Sequence, residues 1–124
     1  MYVQIITFRL AGMTPQEFAV LNDQVAYQYD GVHGLVSKIF MADPDDDHVY
    51  GGVYLWDTRE DAEDYLREGL AQTLITSPDF VDVTARGYEV LPGPTSITGG
   101  PIADTLTSSP PSRDGDSSNI VLES

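Results

Sequence analysis

The chain has 124 residues and a mass of 13.5 kDa. That is one domain's worth of sequence, too short for a TIM barrel, a two-domain dehydrogenase or a kinase. Twenty acidic against six basic side chains give a net charge of −14, and the bases stand singly at Arg9, Lys38, Arg59, Arg67, Arg86 and Arg113. No basic stripe therefore offers a groove for nucleic acid or a face for an anionic membrane. Cysteine is absent, which excludes disulfides, thiolate nucleophiles, iron–sulfur clusters and cysteine-held zinc. The apolar stretch Met1–Leu10 is broken by Gln4 and Arg9 and has no basic flank; it reads as neither signal peptide nor membrane span, and a cytoplasmic protein is expected.

The elements follow in order. Tyr2–Phe8 is β-branched and aromatic with almost no charge, the pattern of a central strand. Thr14-Pro15-Gln16-Glu17 combines an N-cap, a proline at the first helical position and a capping box. Phe18, Leu21, Val25 and Tyr29 then recur at helical spacing, predicting a helix to about Tyr29. Gly31 and Gly34 bracket a turn before a strand over Leu35–Ala42; Asp43–Asp47 is turn chemistry, and Val49–Trp56 is a third strand. Thr58-Arg59-Glu60-Asp61 caps a second helix whose apolar stripe is Ala62, Tyr65, Leu66, Gly69 and Leu70. An irregular stretch through Ser77-Pro78 leads to a last strand at about Val81–Leu91. The order β-α-β-β-α-β predicts a ferredoxin-like α+β fold, an antiparallel sheet with helices on one face.

From Pro92 onward the composition turns to Pro, Gly, Ser and Asp without aromatics. Such a segment buries too little apolar area to offset its ordering entropy, so the functional domain is expected over residues 1–95 and a mostly disordered acidic tail over 96–124. The third strand is apolar or aromatic on both faces: Val49, Gly51, Val53 and Leu55 on one, Tyr50, Gly52, Tyr54 and Trp56 on the other. A sheet open to water on one side should alternate with polar residues. A second subunit on the open face, hence a homodimer, is the simplest cover.

The block Gly34-Leu35, Lys38, the Asp-rich hairpin and Gly51-Gly52-Val53-Tyr54-Leu55-Trp56, followed by a helix carrying Tyr65-Leu66, resembles the YdhR-type monooxygenase family. That family belongs to the dimeric α/β-barrel superfamily, related to the antibiotic-biosynthesis monooxygenases. The resemblance spans about residues 2–92. It implies two sheets closing a barrel, a ligand cavity between sheet and helices in each subunit, and oxidation of phenolic or polyketide-like aromatics by molecular oxygen without flavin, metal or haem. Non-oxidative cyclases and isomerases, and proteins that only bind ligands, share the scaffold.

Within that frame Trp56 either lines the cavity, stacking a planar substrate, or fills the core or the dimer interface. Tyr65, on the inner stripe of the second helix, either hydrogen-bonds a substrate carbonyl or belongs to the core. His33, at the expected cavity mouth, is a natural general base near neutral pH, although the family commonly has proline there and lends it no role. Asn22, Tyr29, Phe40, Tyr54 and Arg86 complete the expected substrate-binding set. Lys38 is expected to pair with an acid on the sheet surface. Gly51-Gly52 is read as allowing a bulge or close approach while freeing space. The Asp43–Asp47 run fails as an EF-hand loop, which needs glycine and glutamate where His48 and Tyr54 stand. No metal site is expected, and no dinucleotide, phosphate-loop or nucleophile-elbow motif is present.

Overall fold

The computed structural model describes residues 1–100. Its first unit, Met1–Glu89, runs β1 (Tyr2–Leu10), α1 (Pro15–Tyr29), β2 (Leu35–Ala42), β3 (Val49–Trp56), α2 (Arg59–Glu68), α3 (Ala71–Thr76) and β4 (Phe80–Glu89). The strands form one antiparallel sheet in the order β2-β3-β1-β4. This is the ferredoxin-like arrangement expected from the element order.

Helix α1 starts where the sequence signals it. Thr14 accepts from the Glu17 N–H at 3.1 Å, Glu17 accepts from the Thr14 N–H at 2.9 Å, and Pro15 stands at the first position. Thr58 caps α2 in the same way, accepting from the Asp61 N–H at 3.1 Å. Gly31 and Gly34 adopt φ of 88° and 79°, which tightens the turn into β2. At Gly34 a Cβ would also collide with the Asp61 carboxylate, so this glycine lets the turn lie against the start of α2.

Side chains alternate across a strand. Gln4, Ile6 and Phe8 of β1 therefore share the helix-bearing face with Tyr50, Gly52, Tyr54 and Trp56 of β3. Ile6, Tyr54, Trp56, Ala62, Tyr65 and Ala71 make the buried core. Trp56 has no exposed surface; its indole N–H donates to Gln4 Oε1 at 3.0 Å, and the Gln4 amide nitrogen donates to the Ala62 carbonyl at 3.2 Å. One buried amide thus ties β1, β3 and α2 together with donor and acceptor both used.

Three elements differ from the sequence expectation. The irregular stretch before β4 contains α3, six residues with no side-chain cap at its start, hence no signal to read. Pairing between β1 and β4 breaks between Thr7 and Arg9, and nearby Asp82 has φ of +53°. This bulge lies where the strand re-aims Phe80 against Phe8, with ring centroids 5.3 Å apart. Finally, Pro92–Ile97 forms a short helix, α4, within a second unit that begins at Val90. Composition pointed to disorder there, but proline at the helix start pre-sets φ and Gly99, at φ 81°, turns the chain after it. The expected disorder beyond residue 100 lies outside the described residues.

The other face of the sheet carries Val3, Ile5, Ile39, Val53, Arg86 and Tyr88, and no helix of the first unit covers it. Ile39 is 62% exposed and Tyr88 50%.

Trp56→Phe is expected to leave Gln4 Oε1 without a donor in a buried site. Denaturant unfolding should show a loss of about 1–3 kcal/mol for the orphaned group, plus a smaller cost for unfilled volume.

Candidate functional site

A cavity of about 280 Å³ lies between the helix-bearing face of the sheet and helices α1 and α3. One end is walled by Phe8, Phe18 and Phe80, packed edge to face. The other end is formed by Tyr29 of α1, Lys38 and Phe40 of β2, and Tyr54 of β3. Asn22, Gln28 and Thr73 add the remaining polar atoms of the lining.

Lys38 is placed by register. It sits directly opposite Tyr54 in the β2–β3 pairing, so its side chain rises from the same face. Its stem crosses Gly52, where a Cβ would stand only 2.8 Å from Lys38 Cε. The ammonium nitrogen lies 3.6 Å from the Tyr29 ring centroid, 4.1 Å from that of Phe40 and 4.6 Å from that of Tyr54. The expected ion pair on the sheet surface does not form. Arg9, Arg59 and Arg67 pair with Asp46, Glu63 and Asp64 at the surface, whereas no carboxylate lies within ion-pair distance of Lys38 among the described residues. Burial pushes Lys38 down from 10.5 to about 7. The three ring faces favour the ammonium and oppose that shift, but without a carboxylate partner desolvation prevails.

Behind Lys38 three phenols meet. The Tyr65 hydroxyl lies 2.7 Å from that of Tyr29 and 3.1 Å from that of Tyr54. Burial, reinforced at Tyr54 by Tyr29 and at Tyr65 by both Tyr54 and Tyr29, raises the two phenols far above the ordinary phenol range, so both stay protonated and able to donate. Trp56 supports this group from the core side, its ring parallel to Tyr54 at 6.0 Å and 5.3 Å from Tyr65.

The structure therefore brings Asn22, Tyr29, Phe40 and Tyr54 to one cavity, with Tyr65 joined to it through its hydroxyl. It separates three expected residues from it. Trp56 has no exposed surface and is held by Gln4; with Tyr65 it backs the neighbouring cleft that His33 borders rather than this cavity. His33 lies in a different cleft, of about 360 Å³, beside α2; its side chain is 94% exposed and 3.4 Å from Asp61. Arg86 pairs with Ile5 on the opposite face of the sheet, because the register of β4 gives the helix-bearing face to Ala85 and Gly87. Sequence reasoning placed Lys38 on the sheet surface; the structure sets it in the cavity lining. Its signal was a lysine two positions before Phe40 on a strand whose residues, Ser37 apart, are otherwise apolar, and it is the only lysine in the chain.

The hairpin carboxylates have local work. Asp43 accepts from the Asp45 and Asp46 N–H groups, and Asp46 holds Arg9 and the His48 N–H. No helix among the described residues is long and apolar enough to cross a membrane.

Fold and cavity define a ferredoxin-like α+β domain with an aromatic-walled cavity between sheet and helices. Solved structures with this fold include a "putative antibiotic biosynthesis monooxygenase" from Deinococcus radiodurans, with a TM-score of 0.61 at 15% identity over 73% of this chain and 93% of that one. A variant of SnoaB, a cofactor-independent oxygenase from Streptomyces nogalater, gives 0.57 at 15% identity over 72% and 91%. A variant of MhuD with two manganese protoporphyrin IX bound per active site gives 0.58 at 13% identity over 73% and 95%. No curated protein sequence matches the chain. The family described as "Putative mono-oxygenase ydhR" matches residues 3–101. The chain belongs to that family.

The depressed Lys38 has a consequence for stability. Between about pH 7 and 10.5 the unfolded chain holds a proton that the folded chain has released, so this group's contribution to stability rises with pH across that window. Lys38→Met is expected to stabilise the fold near pH 6 by about 1–3 kcal/mol, discounted for partial exposure. The gain should fade toward pH 10 in denaturant titrations at the two pH values.

Proposed function

We propose that this family member is a homodimeric oxygenase that uses no resident cofactor and acts on a small planar hydroxyaromatic or polyketide-like molecule. The observation that carries the reading is the ring-walled cavity with its protonated tyrosine hydroxyls. Flat apolar walls suit a flat substrate, and Tyr54 offers an uncharged donor to oxygen that becomes negative during the reaction. At about 280 Å³ the cavity sits just under the usual range of ligand sites, roughly 300–1,000 Å³. That favours one or two fused rings over a larger polycycle.

A porphyrin, as bound by MhuD, does not fit this space, and the lining has no histidine, cysteine or carboxylate to hold iron. In cofactor-free chemistry the substrate itself supplies the electrons. Its anion reacts with oxygen; one oxygen atom enters the substrate as a carbonyl and the other leaves as water.

An oxygen electrode tests this with a panel of naphthols and hydroxylated tricyclic ketones. Uptake of one oxygen molecule per molecule oxidised is expected, with Tyr54→Phe lowering kcat/KM on the order of 10²-fold. Turnover that continues without oxygen would instead mark a cyclase or isomerase, which the same donors also support. Binding without turnover would mark a ligand-binding protein.

The dimer rests on the open sheet face, where Val3, Ile5, Ile39 and Val53 form an apolar surface with no helix of the first unit over it. Sedimentation should give a species of twice 13.5 kDa. Ile39→Glu, at a position 62% exposed in the isolated chain, should weaken association at least tenfold by burying a charge in the contact.

A further inference from the structure

Resting on the reading that the aromatic cavity is the substrate site, we propose that Lys38 is its proton acceptor and counter-charge. The cavity takes a weakly acidic hydroxyaromatic, Lys38 receives the proton, and the anion is held against the ammonium so formed. The O–H bond breaks, an N–H bond forms, and the electron pair stays on the substrate; nothing is oxidised or reduced in this step.

The argument is one of placement and elimination. The chain's only lysine is withdrawn from a surface crowded with carboxylates and set among rings. An ammonium so placed lacks the anion that normally accompanies a buried charge, and a ligand can supply one. The groups that face it from each element do not compete for the proton. Tyr29 comes from α1 and Tyr54 from β3; Tyr65 of α2 touches both through its hydroxyl, and Thr73 of α3 does not titrate in water. Tyr54 and Tyr65 are held protonated. Asn22 and Gln28 are neutral amides, no carboxylate lines the cavity, and His33 stands in the other cleft. Gly52 completes the device, since a side chain there would meet the lysine stem and push it aside.

The class of ligand follows. It is a phenol or an enolisable ketone fused to a ring, acidic enough to yield its proton to an amine that titrates near neutrality. A carboxylic acid, already ionised at that pH, would leave the acceptor function unused.

Meta-nitrophenol is a suitable probe because phenol and phenolate differ in visible absorption. The titration is done at about pH 7.5, where the free probe is mostly protonated, and binding is followed separately by calorimetry. Wild-type protein should bind it as the phenolate, with the midpoint of the bound probe lowered by about one to three pH units. No proton should appear in the medium. Lys38→Met, its fold checked by circular dichroism, should bind it only as the neutral phenol. Lys38→Arg keeps the charge but has no free pair to accept a proton; it should bind the phenolate while releasing about one proton per probe to the buffer. Binding of neutral phenol by the wild type, or a phenolate band that persists in Lys38→Met, would overturn the role of Lys38 while leaving the cavity reading intact. A wild type that binds no probe at all would overturn both.

Discussion

The hydrogen bond from Trp56 to Gln4 is the constraint on which the site depends. Gln4 has both ends of its amide engaged, one by the indole and one by the Ala62 carbonyl, so the first turns of α2 are fixed to the central strand. Tyr65 follows Ala62 by three residues, one turn along the same face of that helix. Its hydroxyl then fixes those of Tyr29 and Tyr54, and those two rings, with Phe40, bound the space in which the Lys38 ammonium rests. A residue with no access to the cavity thus decides its geometry. Sequence reasoning left Trp56 between the cavity and the core; the structure packs it in the core, behind the cavity.

Much of the fold was legible because local chemistry and global topology agree. The capping box at Thr14 and the cap at Thr58 start their helices where expected, and Gly31 and Gly34 adopt the positive φ that their turn requires. The misses share one cause. Helix α3 has no cap, the β1–β4 bulge places a non-glycine residue, Asp82, at positive φ, and α4 begins in a proline-rich run. None of these announces itself in periodicity or turn composition.

The site was legible in its aromatic residues and illegible in its charge. Helical and strand spacing identify which rings face inward, so Tyr29, Phe40 and Tyr54 were within reach of a sequence argument. The face of β4 that Arg86 occupies depends on the register across the bulge, which shifts between Thr7 and Arg9. For Lys38 the obstacle was a prior. Lysines are rarely buried without a partner, and a chain of net charge −14 offers partners everywhere. Only the packing shows that Gly52 leaves the stem a path to the rings rather than to solvent.

The same placement makes the chain its own spectroscopic reporter. Since Lys38 is the only lysine, reductive methylation with isotope-enriched formaldehyde would tag one side chain and the terminal amine. The resulting methyl resonance, lying against three aromatic rings, would be displaced by their ring currents. Any molecule that enters the cavity, or any loosening of α1 over the sheet, would be visible as movement of a single peak.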